Sequence, residues 1–80
     1  MEIQLLSFAA LKDFFPSKQD LSLEGIKTVS DLKMYLYQLK PDATNLIKIS
    51  RISINQIIAK DSDPIIDGAV VAILPPSSGG

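Results

Sequence analysis

The feature that most constrains the fold is an unbroken apolar run at residues 69–74, Ala-Val-Val-Ala-Ile-Leu. A run of this length is typical of a strand that is covered on both faces. Asp67 and Gly68 before the run predict a tight turn. Pro75 and Pro76 after it have no amide donors, so a sheet ladder has to end there. The sequence therefore predicts a central strand with a defined start and an abrupt end.

The chain begins with a predicted strand and a short helix. Residues 3–8 carry apolar side chains at both parities, which predicts a first strand that is apolar on both faces. Phe8, Leu11 and Phe15 then follow the i, i+3, i+7 spacing of a short helix. Pro16 ends this helix, because the residue before a proline avoids helical backbone angles.

The main helix is predicted to begin after Thr28. Before it, residues 20–24 alternate polar and apolar side chains as a second strand does, and Gly25 marks the end of that strand. Thr28 suits the N-terminus of a helix, and Asp31 stands three residues later, which is a capping-box pattern. The apolar residues of the helix fall on one stripe: Val29, Leu32, Leu36 and Leu39, joined by Tyr35. This stripe predicts a helix that packs one face on a sheet.

The region after the main helix predicts a turn and a hairpin. Residues 41–45 are mostly polar and contain a proline, so we predict a turn there. Residues 51–54 alternate as a strand, Asn55 and Gln56 suit a tight turn, and residues 57–59 predict the returning strand.

This order of elements predicts an α+β chain with the β-grasp, or ubiquitin-like, fold. A mixed sheet wraps one main helix, and the short helix is an additional element. The right-handed crossover through the main helix places the first and last strands side by side. We expect a β-grasp domain at residues 1–74 and an extended tail at residues 75–80 that ends in Gly-Gly.

The composition excludes several classes of function. Eight basic and nine acidic residues give a net charge of −1, and the basic residues are scattered, so we expect no nucleic-acid partner. No apolar stretch approaches the roughly 20 residues that span a bilayer, so we expect a cytoplasmic protein without membrane contact. The chain has no cysteine and no histidine. Without these side chains we expect neither a bound metal nor a bound cofactor.

The carboxylates that remain favour structural roles over catalysis. Asp61 and Asp63 stand beside Pro64 in a predicted loop, where short carboxylates stabilise turns. Four others fall at the ends of predicted elements: Asp13, Asp20, Asp31 and Asp42. No glycine-rich phosphate loop or nucleophile elbow accompanies them. We therefore expect a non-catalytic subunit.

The tail has the features of a chain end that is presented to another protein. Pro75 and Pro76 form a stiff extension of the central strand. At roughly 3.3 Å per residue, the four residues after them reach about 13 Å: Ser77, Ser78, Gly79 and Gly80. Because glycine has no Cβ, the last two pass through a narrow channel and leave the terminal carbonyl unshielded. The alternative is a flexible, solvated end.

A terminal carboxylate needs activation before it takes part in acyl chemistry. Its pKa is about 3.5, so at neutral pH it is an anion and a poor electrophile. Adenylation by ATP converts it to a mixed anhydride, which a sulfur, nitrogen or oxygen nucleophile can attack. The chain has no nucleotide-binding motif. ATP would therefore be used by a separate activating enzyme, and the chain is predicted to be a carrier on which other proteins act.

The whole chain resembles the small subunits of molybdopterin synthases, which are ubiquitin-like sulfur carriers. Three segments carry the resemblance: residues 8–13, Phe-Ala-Ala-Leu-Lys-Asp; residues 54–56, Ile-Asn-Gln; and residues 67–80, which include Pro-Pro and Gly-Gly. The last segment is the most specific.

The resemblance implies that Gly80 is adenylated by an activating enzyme akin to ubiquitin-activating enzymes and converted to a thiocarboxylate. The tail then enters the active site of a large subunit, and two sulfur transfers to a cyclic pyranopterin phosphate build the dithiolene that later binds molybdenum. Other functions remain open. The alternatives are a sulfur carrier for thiamine synthesis or tRNA thiolation, a modifier attached to lysines through Gly80, and a plain interaction module.

The sheet face away from the main helix is predicted to bind the partner. A sheet with one solvated face alternates polar and apolar residues, whereas the first and last strands are apolar at both parities. The side chains expected on this face are Leu6, Phe8, Ala72 and Leu74, with Ile58 of the hairpin beside them. The alternative is that the short helix or a loop of the same chain covers the patch.

Overall fold

The computed structural model describes residues 1–76, which form a five-stranded mixed sheet with helices packed on one face. The strands are β1 (Glu2–Ser7), β2 (Lys18–Ser22), β3 (Arg51–Ile54), β4 (Ile57–Ala59) and β5 (Val70–Leu74). The helices are α1 (Val29–Leu39) and α2 (Thr44–Lys48), with short 3-10 segments at Ala9–Asp13 and Pro41–Ala43. The sheet order β2-β1-β5-β3-β4 is the predicted β-grasp arrangement.

The last strand lies at the centre of the sheet, as its apolar run predicts. β5 pairs in parallel with β1, with Leu5 opposite Val71, and antiparallel with β3 on its other side. Its start is fixed by the turn at Asp67 and Gly68, where Gly68 has a φ of +83°. The amide of Gly68 donates to the carbonyl of Glu2 (2.7 Å), and the Asp67 carboxylate accepts from the amide of Glu2 (2.6 Å). The turn therefore aligns the beginnings of β5 and β1.

The hydrophobic core lies between the helices and one face of the sheet, which we call the inner face. The central strands place Ile3, Leu5, Val71 and Ile73 on the inner face, and none of these side chains is more than 3% exposed. Val29, Leu32 and Leu36 of the predicted helical stripe cover them, and Tyr35 packs at the edge of this core. Leu39 is wrongly assigned to the stripe: it is the last residue of α1 and is 45% exposed.

A second helix takes the place of the turn predicted at residues 41–45. The chain forms the 3-10 segment Pro41–Ala43 and continues directly into α2 (Thr44–Lys48). Ala43 and Ile47 are fully buried in the core, where they fill the volume next to the end of α1. Polar residues made this segment look like a turn, but tertiary burial of two side chains stabilises a helix too short to be stable alone.

The N-terminus of α1 is capped as predicted, and a loop completes the cap. The amide of Asp31 donates to Oγ1 of Thr28 (3.2 Å), and the carboxylate of Asp31 accepts from the amide of Thr28 (3.1 Å). The amides of Val29 and Ser30 donate to carbonyls of Asp63 and Asp61 (3.0 and 2.9 Å). All the first-turn amides of α1 therefore have partners, which the exposed end of a helix otherwise leaves to water.

Two elements near the N-terminus differ from the predicted ones. β2 begins at Lys18 and ends at Ser22, whereas residues 20–24 were predicted, because the strand pairing with β1 extends from Lys18 opposite Leu6 to Ser22 opposite Glu2. The amide of Leu23 still donates to the carbonyl of Met1 (2.8 Å) just beyond the strand. The short helix is a 3-10 segment, Ala9–Asp13, with Ala9 at a φ of 52°. This bend separates Phe8, which continues β1, from Leu11, so the two do not share the helical face that their spacing predicts.

Candidate functional site

The site predicted from the sequence is the tail together with the sheet surface beside its exit. β5 ends at Leu74, and Pro75 and Pro76 follow it as half-buried and exposed residues without regular structure. The predicted carrier and access residues Ser77, Ser78, Gly79 and Gly80 lie outside the described residues. The geometry that can be described is therefore the exit of the tail and its surroundings.

The exit lies beside the end of β1. Ser7 of β1 is opposite Ile73 of β5 in a parallel pair, so the next residues along the two strands are Phe8 and Leu74. Both have outward parity, since Ser7 and Ile73 are buried on the inner face. An aromatic side chain thus stands next to the point where the chain leaves the sheet.

The predicted partner-binding residues share the sheet face opposite the helices, which we call the outer face. Cross-strand pairing joins Leu6 to Ala72, Ala72 to Ser53, and Ser53 to Ile58 in one row. Phe8 is 42% exposed and Ile58 is 53% exposed, while Leu6 and Leu74 are half-buried. Ala72 is 8% exposed yet does not belong to the core cluster. Its neighbours in the sheet cover it, so it adds little contact area itself.

The short helix does not cover the outer face, although that was the alternative. Leu11 and Phe15 are both buried, at 0% and 4% exposure, and both belong to the core cluster on the inner face. In residues 1–76, Phe8 therefore keeps an exposed apolar side chain next to the exit, and Ile58 keeps another on β4, two strands away from β5. Exposed apolar side chains on one face of a sheet are typical of an interaction surface.

The outer face also carries charges that sequence reasoning did not place. Lys18 is opposite Leu6, and Arg51 is opposite Leu74, so both positive side chains flank the apolar residues near the exit. Asp20 is opposite Gln4. Glu2, one pair further from the exit, accepts a hydrogen bond from Ser22 (2.8 Å). The positions of these charges relative to one another follow only from the strand register, because the register brings together residues that are far apart in sequence.

Three of the other carboxylates that were considered, Asp31, Asp61 and Asp63, have the structural roles expected of them. The Asp61 carboxylate pairs with the Lys33 ammonium at 2.7 Å, and the Asp63 carboxylate accepts from the amide of Lys60 at 2.9 Å. The backbone amides of Lys27 and Thr28 hold the pKa of the Asp31 carboxyl below its ordinary value. These groups stabilise a loop and a helix end.

Shallow grooves on the described surface have no catalytic arrangement. One, of about 220 Å³, lies against α1 and is lined in part by Ile26, Met34 and Tyr35. Another, of about 310 Å³, lies near the start of β1 and is lined in part by Glu2 and Asp20. Within residues 1–76, no helix has the length and apolar character that crossing a membrane requires.

Comparison with known families identifies the chain. A model described as the ThiS family matches residues 5–80, which is nearly the whole sequence. The chain belongs to the ThiS family. The match includes Leu6, Phe8 and all of β5 and extends through the tail.

Solved structures similar to this ThiS-family chain share its fold at low sequence identity. SAMP1 from Haloferax volcanii is 20% identical with a TM-score of 0.82, and the match covers 100% of both chains. A putative molybdopterin converting factor subunit 1 from Pyrococcus furiosus is 16% identical with a TM-score of 0.83, over 96% of this chain and 99% of that one. In a complex of subunits 1 and 2 of the molybdopterin-converting factor from Helicobacter pylori, the matching chain is 21% identical with a TM-score of 0.71, over 100% of both chains.

These findings confirm the resemblance stated from the sequence at the level of family and fold. This ThiS-family chain has a ubiquitin-like β-grasp domain.

Proposed function

We propose that this chain is the sulfur-carrier subunit of a molybdopterin synthase. The observation that carries the proposal is the position of the exit: the central strand leads into Pro75 and Pro76 directly beside the exposed Phe8. A partner that covers the outer face therefore receives the tail at the same time. The Pyrococcus and Helicobacter structures, both named as molybdopterin-converting factor components, support this choice among carriers.

The chemistry proposed for the tail begins with activation of Gly80. A carboxylate oxygen attacks the α-phosphorus of ATP in an activating enzyme, and pyrophosphate leaves. Hydrosulfide then attacks the acyl carbon of the adenylate, a C–S bond forms, and AMP leaves with the original C–O oxygen. The thiocarboxylate sulfur then forms a C–S bond to a side-chain carbon of a cyclic pyranopterin phosphate, and the oxygen bound to that carbon leaves as water or as the phosphate oxygen of the opened ring. Water next cleaves the acyl C–S bond and restores the carboxylate of Gly80. Two such cycles supply the two sulfur atoms of a dithiolene.

Two protein partners follow from this proposal. The activating enzyme supplies the ATP site, and a large subunit supplies the pterin pocket. The Helicobacter structure, a complex of subunits 1 and 2 of its converting factor, supports a second subunit as partner. The proposed place of both steps is the cytoplasm.

Intact mass after incubation with the activating enzyme, ATP and sulfide tests the proposal. We expect a gain equal to the mass difference between one sulfur atom and one oxygen atom. The product, mixed with the large subunit and the pterin precursor, should then form a dithiolene and return to its original mass. Deletion of Gly80 should abolish both changes and leave the thermal midpoint almost unchanged, because a tail residue contributes little to the core. A deletion variant that still carried sulfur would contradict the proposal.

A second function, protein modification, has its own support. The likeness to SAMP1, which is also described as small archaeal modifier protein 1, favours it. Both functions begin with the same adenylate, so the same incubation separates them. An isopeptide bond between Gly80 and a lysine appears as a covalent adduct of two proteins that resists thiols, whereas a carrier yields only the sulfur-for-oxygen change.

A further inference from the structure

The apolar part of the outer face does not by itself specify how a partner is oriented. Leu6, Phe8 and Leu74 lie near the exit, but burial of apolar area has no directional preference. A carrier has to deliver its tail into one pocket, so rotation of the docked chain about the normal of the sheet has to be restricted. The charges on the same face have the directionality that the apolar residues lack.

These charges are ordered along the strands. Lys18 and Arg51 lie in the cross-strand pairs nearest the exit, on either side of β1 and β5. β2 and β3 are three strand spacings apart, and Lys18 lies in the row of Ala72, two residues along the strands from the row of Leu74 and Arg51, so the backbone positions of the two cations are about 16 Å apart. Asp20 lies two residues along β2 from Lys18, about 7 Å further from the exit, and its partner on β1 is Gln4. Positive charge is thus near the exit, and negative charge is away from it.

The charges are available to a partner. All three side chains, Lys18, Asp20 and Arg51, are exposed, and among residues 1–76 the ion pair that forms joins Lys33 to Asp61 elsewhere. The nearby 3-10 segment carries Lys12 and Asp13, whose opposite charges leave the end near the exit positive. At physiological salt, charges act over about 8 Å. A partner is therefore affected by this arrangement of charges only when the two faces are nearly in contact.

We propose that this charge order sets the orientation in which the chain docks on the large subunit of a molybdopterin synthase. This inference rests on the proposed function. The large subunit would carry carboxylates beside the opening of its pocket, opposite Lys18 and Arg51, and ammonium or guanidinium groups about 7 Å further away, opposite Asp20. In the reversed orientation, like charges meet and the tail points away from the pocket.

Transposing the charges tests the inference without changing the composition or the net charge. The variant combines Lys18→Asp with Asp20→Lys, and the matched control combines Lys40→Asp with Asp42→Lys. Lys40 and Asp42 are also two residues apart and exposed, but they lie after α1 in the helical layer. Association of each full chain with the purified large subunit is measured by stopped flow at low and high salt, and each thermal midpoint is recorded.

The transposed chain should associate about tenfold more slowly at low salt, and the difference should shrink as salt rises. The control should match the unaltered chain. Arg51→Glu, on a different strand, should also slow association, whereas Lys40→Glu should not, so the test does not depend on the stability of β2 alone. Equal rates for the transposed and unaltered chains, or equal slowing by the control, would overturn this inference and leave the proposed function standing. Failure of the unaltered chain to bind the large subunit would overturn both.

Discussion

Two residues of the β3–β4 turn hold backbone angles that side chains other than glycine rarely adopt. Asn55 has a φ of 50° and Gln56 a φ of 72°. Asparagine tolerates this left-handed region because its short side chain can form local hydrogen bonds, whereas glutamine is strained there. Asn55 also bonds to the central strand: its amide donates to the carbonyl of Val70 (2.8 Å), and its Oδ1 accepts from the amide of Val70 (2.9 Å). The turn thus joins the hairpin to β5 at the cost of strain at one position.

Gln56→Gly is expected to stabilise the protein. Relief of the left-handed strain raises the free energy of unfolding by about 1–2 kcal/mol. The greater freedom of glycine in the unfolded chain lowers it by about 0.4–1 kcal/mol. Urea unfolding should therefore show a gain of up to about 1.6 kcal/mol in the free energy of unfolding. Asn55→Gly is the control with similar backbone angles. It removes the acceptor for the Val70 amide and should not stabilise. A gain from Asn55→Gly equal to that from Gln56→Gly would show that the side-chain bond contributes nothing.

At the scale of elements, the capping box of α1 makes part of the stability depend on pH. Hydrogen bonds from the amides of Lys27 and Thr28 lower the pKa of the Asp31 carboxyl in the folded chain. A group whose pKa is lower when folded stabilises the protein above its unfolded pKa, and this contribution is lost as the pH falls through the folded pKa. The cap of α1 should therefore weaken in acid.

Asp31→Asn is expected to lower the thermal midpoint at about pH 7 and to have a smaller effect at about pH 3, because protonation of the native carboxyl increases as the pH falls below its ordinary pKa of 3.8 toward the lowered pKa of the folded chain. Calorimetry of both proteins at the two pH values measures the difference. Thr28→Ala removes the other half of the box and should cost about 0.5–2 kcal/mol, with a loss present at both pH values. An Asp31→Asn effect of the same size at both pH values would argue against the assigned role of the charge.

Elements were predictable where a local pattern and the tertiary structure agree. Thr28 and Asp31 fix the start of α1, and the turn residues Asn55 and Gln56 fix the hairpin, because these signals act over a few neighbouring residues. α2 was not predicted because its helical conformation depends on the burial of Ile47 against side chains that are distant in sequence. Within the candidate site, parity along β1 predicted that Leu6 and Phe8 face outward. The charge order around them was not predictable, because it depends on which residue of β2 or β3 lies opposite.

For the whole molecule, the two faces of the sheet have different energetic roles. The inner face supports the fold, since Leu32 and its neighbours are fully buried there. The outer face leaves Phe8 42% exposed. We expect an aromatic side chain in this position to contribute more to the binding of a partner than to the stability of the isolated chain.

Phe8→Ala should weaken binding of the large subunit by about 1–3 kcal/mol, as expected for an aromatic anchor. Leu32→Ala should instead reduce the free energy of unfolding by roughly 2–5 kcal/mol, because it leaves a cavity in the core. Calorimetric unfolding and a titration with the large subunit, carried out on both variants, separate the two roles. If Phe8→Ala unfolds the protein and spares binding, Phe8 supports the fold and the outer face is wrongly assigned to the partner.

The parallel pairing of β1 with β5 has a consequence for how the chain is made. Gln4 pairs with Val70, so the central strands of the sheet cannot pair until nearly all of the sequence has been synthesised. Contacts between such distant residues form late and slow folding. A nascent chain interrupted before β5 would lack both the strand that completes the sheet and the glycines that follow it. Translation errors that truncate the protein would thus yield unfolded fragments, which are degraded. They would not yield folded chains that bind the partner but lack the terminal glycines.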